Sequence, residues 1–182
     1  MIDYSDKEIL ELFKDEQKSD YAFNLLVRKY QKQMYWHIRR LVIDHEDAND
    51  LVQNVFIKIW KNLKGFREDS QIFTWIYRIA TNESLSFLKN KKNKYILPFV
   101  DVERQLSDSL QDDNWFSGNE IQLKLQNAIL KLPNKQKVVF NMRYFDDMTY
   151  EEISNVLGTS VGALKASYHH AVKKIEEFVT KN

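Results

Sequence analysis

Leu51, Val52, Val55, Phe56, Ile59, Trp60 and Leu63 fall at i, i+1, i+4, i+5, i+8, i+9 and i+12. Only a helix gathers all seven onto one stripe, and such a stripe must be buried against other helices. Asp47, Asp50, Asn54, Lys58 and Lys61 fall off it. The same period runs upstream through Phe23, Leu26, Val27, Tyr30, Met34, Ile38 and Leu41. The chain of 182 residues holds only four Gly and two Pro, so little interrupts such helices. No segment sustains the alternation of a strand. The sequence therefore reads as all-α: two small helical domains joined by a flexible acidic linker, the C-terminal one a helix-turn-helix.

Local signals place the boundaries. Ser5-Asp6-Lys7-Glu8 is a capping box opening a short helix through about Glu16. A second helix starts near Ser19 or Asp20 and runs to about Val42. Asp44 caps the third, which carries the stripe above. After a loop at 64–69, a fourth helix starts at or beside Ser70 and reaches the basic tract 89–94. Residues 95 to about 117 lose periodicity, with Pro98 near the start, Gly118 at the end and isolated apolar pairs Ile96-Leu97 and Trp115-Phe116. Ile121, Leu125, Ile129 and Leu132 then define a helix stopping before Pro133. Another covers about 134–145, with Val138, Val139, Met142 and Tyr144 or Phe145 inward. The expected domains are 1–94 and 119–182, with 95–118 as linker.

Composition narrows the function classes. There is no Cys, which removes disulfides and thiolate metal sites and fits a reducing compartment. No signal peptide is visible, and no apolar run approaches the ~20 residues of a membrane-spanning helix. The expectation is a cytoplasmic protein without membrane insertion. No phosphate-binding Gly-rich loop, nucleophile elbow or catalytic triad can be argued, so the reading is not an enzyme and needs no cofactor. His169 and His170 are adjacent on a helix and do not converge on one metal. His37 and His45 read as surface or capping residues. The Asp146-Asp147 and Glu151-Glu152 pairs read as turn and cap residues. The net charge is +1, but residues 95–120 carry six acidic side chains against one Arg, leaving both flanks basic.

The C-terminal third carries a helix-turn-helix. Thr149-Tyr150-Glu151-Glu152 is a second capping box, the short helix ends at Leu157, Gly158 supplies a left-handed turn residue, and Ser160 caps a long helix from Val161 to about Val179. Ile153, Val156, Leu157, Val161, Leu164, Tyr168, Val172 and Ile175 can form its core. Small side chains near the start of the long helix let its backbone approach a DNA groove. An ordinary αα-hairpin has the same spacing.

Three ordered segments carry a family resemblance. Residues 47–60 (Asp-Ala-Asn-Asp-Leu-Val-Gln-Asn-Val-Phe-Ile-Lys-Ile-Trp) resemble the polymerase-binding helix of bacterial sigma factors. Gly65-Phe66-Arg67 followed by 73–82 (Phe-Thr-Trp-Ile-Tyr-Arg-Ile-Ala-Thr-Asn) resembles the promoter-melting segment of the extracytoplasmic-function group. Tyr150 to Ile153 with Val161 to Lys165 resembles that group's C-terminal DNA-binding domain. The resemblance implies that Asp47, Asp50, Gln53, Asn54 and Lys58 dock on core RNA polymerase, over a stripe that is simply core. It implies that Lys64, Phe66, Arg67, Ser70, Trp75, Arg78, Asn82 and Lys89 contact the minus-ten element, with Asn82 at a base turned out of the stack. Ser160, Gly162, Ala163, Lys165, Ala166, His169, His170 and Lys173 would face the minus-thirty-five element. The implied partners are core RNA polymerase, promoter DNA and an anti-sigma factor, around a chain that is monomeric when alone.

The chemistry suits these roles. Separated bases need stacking surfaces and cations: Phe66, Phe73, Trp75 and Tyr77 offer rings, and Arg67, Arg78, Lys89, Lys91 and Lys92 offer charge. Phe73, Trp75 and Ile76 cannot all face outward, so Trp75 and at least one neighbour are expected in the core. The long C-terminal helix departs from many relatives, which carry several Arg there; a site read by shape and by His and Lys contacts is expected instead. Two other readings stay open: a stand-alone helix-turn-helix regulator, and a helical adaptor without DNA binding. The near-neutral charge predicts weak phosphate attraction. Titrating the chain alone against promoter duplex at physiological salt is expected to show weak binding that strengthens when core polymerase is added; tight sequence-specific binding by the chain alone would contradict this.

Overall fold

The computed structural model describes residues 4–94 and 120–181; the expected linker 95–118 lies outside them. Among the described residues there are eight helices and no strand: α1 (Asp6–Lys14), α2 (Ser19–Val42), α3 (His45–Leu63), α4 (Ile72–Lys94), α5 (Glu120–Leu130), α6 (Asn134–Tyr144), α7 (Tyr150–Leu157) and α8 (Val161–Lys181). None is long and apolar enough to cross a membrane.

The ends follow their capping chemistry. Ser5 Oγ accepts from the Glu8 N–H at 3.3 Å, and the Glu8 carboxylate accepts from the Ser5 N–H at 2.7 Å. The Ser5 hydroxyl, which also donates to that carboxylate at 2.7 Å, and then the Ser5 N–H hold the Glu8 carboxyl below its usual range. α1 stops at Lys14 rather than near Glu16, because Asp15 turns extended and its N–H bonds back to Leu12. α2 ends at Ile43, whose φ of +68° costs a β-branched residue strain. Asp44 then caps α3, accepting from the Asp47 N–H at 2.9 Å.

The first four helices bury the stripes that the sequence writes. Leu26, Tyr30, Met34, Ile38 and Leu41 of α2 meet Leu51, Val55, Phe56, Ile59 and Leu63 of α3, and Ile72, Ile76 and Ala80 of α4, in one cluster. Each large side chain so buried contributes ~1.5–3 kcal/mol before chain entropy is counted. A second cluster joins Ala128, Ile129, Leu132, Phe140, Ala171 and Ile175. Ile121 does not join it and is 75% exposed. The buried side chains of α5 all lie at 126–130. In α6, Val138, Val139 and Met142 are buried and Tyr144 is exposed.

The two halves pack against each other. Val138, Val139, Met142, Met148, Ile153, Val156 and Leu164 belong to the same buried cluster as the α2–α4 core. Polar contacts fix the register. The Asp146 carboxylate, from the α6–α7 connection, accepts from His37 Nδ1 at 2.9 Å and from an Arg40 N–H at 2.8 Å. His37 is therefore not at the surface: it is 0% exposed, with Nε2 2.9 Å from the Thr81 hydroxyl. Asp146 is likewise more than a turn residue, with a side chain only 4% exposed. The Arg40 guanidinium also sits 4.5 Å above the Phe145 ring.

Gly158 closes the α7–α8 turn at φ +63°, and a Cβ there would meet no atom within 4 Å. Replacing it therefore costs backbone strain and little else. Gly158→Ala is expected to lose ~1–2 kcal/mol in urea unfolding without changing helical content; an unchanged midpoint would show that the turn tolerates another geometry.

Candidate nucleic-acid interface

Three exposed faces emerge from this frame. The first lies on α3. Asp50, Gln53 and Asn54 are exposed, and Ile57 and Trp60 extend the same face at i+4 and i+7 from Gln53. Trp60 was expected in the core; it is 39% exposed, and Ile57 is 50% exposed. Phe13 and Phe23 cover the indole edge-on, at ring distances of 5.8 and 4.8 Å, and leave the rest open. A shallow groove of about 600 Å³ runs between Phe23, Gln53, Ile57 and Trp60. The other two candidates on this helix have partners inside the chain. Lys91 Nζ meets the Asp47 carboxylate at 2.7 Å, and Lys58 pairs with Glu83, so both tie α3 to α4. The apolar part of the face was legible in principle, since 50, 53, 57 and 60 share one helical side. It was hidden by reading Trp60 with the buried stripe.

The second face runs along α4 and the loop before it. Trp75, Arg78, Asn82 and Lys89 fall at i, i+3, i+7 and i+14 and share one side of the helix. Arg78, Asn82 and Lys89 are exposed, and Trp75 is half-buried with its ring 5.1 Å from Phe66. Lys64 and Arg67 are exposed in the loop, and Ser70 is half-buried. Tyr77 offers no stacking surface: it is fully buried, 4.6 Å from Phe73 and 4.9 Å from His37. Burial, and after it the Asp146 carboxylate, push its phenol above the usual range. Phe73 is half-buried beside Tyr30.

The third face is the start of α8. The Thr149 capping box forms as the sequence proposes, with Thr149 Oγ1 accepting from the Glu152 N–H at 3.2 Å and the Glu152 carboxylate accepting from the Thr149 N–H at 2.7 Å. Ser160 Oγ accepts from the Ala163 N–H at 3.4 Å, starting α8 on the far side of the turn. Ser160, Gly162, Ala163, Lys165, Ala166, His169, His170 and Lys173 are all exposed. Leu164 and Ala171 are buried and set the phase of the helix. Tyr168, half-buried between Phe140 and Tyr150, has its phenol raised chiefly by burial.

The second and third faces meet. A cavity of about 640 Å³ lies between them, lined by Arg78, Asn82 and Leu85 of α4 and by Gly158, Ala163 and Ser167 of the turn and α8. Arg78 is held there, donating from Nε to the Val156 carbonyl at 3.2 Å and from Nη2 to the Asn155 carbonyl. No group of three His, Asp or Glu able to hold a metal occurs among the described residues.

Known proteins share this plan. The sigma-70 region 2 family matches residues 26–94, and the sigma-70 region 4 family matches residues 122–175. The RNA polymerase sigma-H factor of Pseudomonas aeruginosa is 30% identical over 164 residues, covering 86% of this chain and 85% of the relative. The ECF RNA polymerase sigma-E factor of Escherichia coli K12 is 31% identical over 172 residues, 90% of each. Among solved structures, CnrH in complex with the cytosolic domain of CnrY matches with a TM-score of 0.69 at 20% identity, over 97% of this chain and 98% of that one. The sigma factor RpoE of Bartonella quintana, in complex with the anti-sigma factor NepR, matches at 0.66 and 18% identity, over 87% and 96%.

The Lys91–Asp47 pair is partly shielded, with both side chains about a quarter exposed. A double-mutant cycle with Asp47→Asn and Lys91→Gln is expected to give a coupling of ~0.5–1 kcal/mol in denaturant unfolding; zero coupling would mean the pair does not join α3 to α4 in solution.

Proposed function

The chain belongs to the extracytoplasmic-function group of the sigma-70 family, transcription initiation factors that bind core RNA polymerase and direct it to promoters, and we propose that it divides this work among the three faces described above. Residues 1–94 hold polymerase and handle the minus-ten element, and residues 119–182 read the minus-thirty-five element. The observation that carries this reading is the succession of two exposed faces on consecutive helices. Asp50, Gln53, Ile57 and Trp60 on α3 present a polar rim around apolar side chains, the composition of a protein-docking patch. Trp75, Arg78, Asn82 and Lys89 on α4 present a ring, cations and a side-chain amide, the set a single strand needs.

The proposed mechanism is one of differential binding. Stacking is worth ~1–3 kcal/mol per base, comparable with the few kcal/mol that extruding a base costs. Phe66 with Trp75 supplies the platform, Arg78 and Lys89 the phosphate contacts, and Asn82 both a donor and an acceptor for a base edge. Duplex opening then draws on binding energy alone, without nucleotide hydrolysis, and the chain acts as a binding subunit and not as an enzyme. Gly162, Ala163, Lys165, Ala166, His169, His170 and Lys173 lie along the exposed side of α8, after the Ser160 cap, where a major groove would sit. We infer a cytoplasmic protein, working where the polymerase is. The RpoE structure was determined with an anti-sigma factor, and a partner of that kind is inferred here as well.

The test is run-off transcription with core polymerase on a genomic promoter library. The wild-type chain is expected to give discrete promoter-directed transcripts. Gln53→Ala with Ile57→Ser, at exposed positions, is expected to weaken core binding by roughly thirtyfold while leaving the unfolding transition in place. Asn82→Ala is expected to keep core binding and lose about tenfold in transcripts. Absence of promoter-directed transcripts from the wild-type chain would overturn the reading.

A further inference from the structure

No part of the proposed function falls on α1, which lies ahead of residues 26–94 matched by the sigma-70 region 2 family. Both of its ends are nevertheless tied to other elements. At the start, the Asp6 carboxylate accepts from the Tyr30 hydroxyl of α2 at 2.7 Å and pairs with Lys29 at 2.8 Å. At the far end, Phe13 lies edge-on to Trp60 of α3. There the helix also reaches the loop between α3 and α4, which carries Phe66 and Arg67. A cleft of about 300 Å³ separates α1 from this loop, lined by Leu10, Phe13, Leu63 and Phe66.

Two ion pairs of opposite sense cross that cleft. Lys14 Nζ lies 3.3 Å from the Glu68 carboxylate, and Lys64 Nζ lies 3.9 Å from the Glu16 carboxylate. Exchanging the partners would set Lys14 against Lys64 and Glu16 against Glu68, so the charges specify one docking of the loop. Glu68 itself stands at φ +58°, a left-handed conformation that a residue with a Cβ adopts at a cost. Such a residue persists where its surroundings hold it. The start of the loop is set by its own turn, with the Gly65 and Phe66 N–H groups donating to the Asn62 and Leu63 carbonyls at 3.0 and 3.1 Å. The part beyond Phe66 is what the Lys14 contact reaches. All four charged side chains are more than half exposed, so the pairs add little to global stability. They act where small energies suffice, on the conformation that a short exposed loop keeps.

We propose that α1 is a clamp on this loop. Lys14, through Glu68, holds the one loop conformation that presents Phe66 and Arg67 beside the turned-out minus-ten base, and so sharpens which base is accepted there. Lys14, Glu16 and Glu68 are positioning residues. A loop that samples several conformations accommodates several bases at similar cost; a loop held in one leaves the wrong base with unpaired polar groups. The inference rests on the assignment of Phe66 and Arg67 to the minus-ten strand.

The test is run-off transcription with core polymerase and the full-length chain on four versions of one promoter recovered from the library, differing only in the base at the turned-out position. The wild-type chain is expected to prefer one base. Glu68→Gln keeps the length and the backbone strain and removes the pair. It is expected to reduce that preference by about threefold, the worth of one exposed ion pair. Lys14→Glu sets two anions together and is expected to reduce the preference further, and Lys14→Glu with Glu68→Lys to restore it. Glu11→Gln removes the other carboxylate on Lys14, 2.7 Å away within α1, and is expected to leave the preference unchanged. Charge alone predicts that Glu68→Gln and Glu11→Gln act alike, since each removes one anion. In amide hydrogen exchange, residues 64–70 are expected to exchange faster in Glu68→Gln while α2 keeps its protection. Should Lys14→Glu lose its helical circular dichroism, Glu68→Gln carries the test.

An unchanged preference in Glu68→Gln would overturn the clamp, and so would a uniform loss of transcripts from all four promoters, which is the mark of a merely structural role. Wild-type indifference to that base would overturn it too. In each case wild-type transcripts would still stand for the initiation function. Their absence would instead remove the functional reading and the clamp with it.

Discussion

The whole molecule is organised by the burial of one long helix. α2 runs for 24 residues, and its apolar side, from Leu26 through Tyr30, Met34 and Ile38 to Leu41, is covered along its length. A helix of that kind cannot be satisfied by one neighbour. α1 meets it at Lys29 and Tyr30, α3 lies against it from Phe23 to Tyr35, α4 meets it from Tyr30 to His37, and its last turns carry His37 and Arg40 to the second half of the chain. The stripe on α3 and the phase of α4 are set by this demand, and the phase decides which side chains remain outside. Asp50, Gln53, Ile57 and Trp60 point out because Leu51, Val55 and Ile59 point in. Arg78 and Asn82 point out because Ile76, Tyr77 and Ala80 point in. The functional faces are thus the complement of the core.

The division of labour follows from the same economy of charge. A near-neutral chain gains little from phosphate attraction, so its affinity for a promoter depends on geometry and on being held. In this arrangement the Asn155 and Val156 carbonyls already hold Arg78, a group proposed for DNA contact.

Much of this was legible in the sequence, and the reason differs from residue to residue. Helix phases and caps were legible because they are encoded locally: Ser5 with Glu8, Asp44 with Asp47, and Thr149 with Glu152 lie within one turn. The exposed side of α8 was legible because Leu164, Ala171 and Ile175 repeat at a helical period. What escaped was long-range. His37 and Asp146 are 109 residues apart, and no local pattern marks a histidine on a polar-looking stretch as the buried partner of a turn aspartate. Tyr77 lost its expected outward role for the same reason, since the groups that bury it include His37. Trp60 escaped in the other direction: its position is ambiguous between stripe and rim, and only the placement of Phe13 and Phe23 decides how much of the indole stays open. Ile121 follows its helical period yet is exposed, the buried side chains of α5 all lying at 126–130.

In the function proposed above, the chain opens promoter DNA through binding energy presented by α4 once polymerase has taken hold. The most direct measurement is permanganate reactivity of thymines across the minus-ten region, in a complex of core polymerase, full-length chain and promoter duplex without nucleotides. Thymines there are expected to become reactive only when chain and polymerase are both present, and Asn82→Ala with Trp75→Ala is expected to suppress the signal while the complex still assembles. A duplex that stays unreactive in the wild-type complex, or that opens only when a hydrolysable nucleotide is supplied, would contradict it.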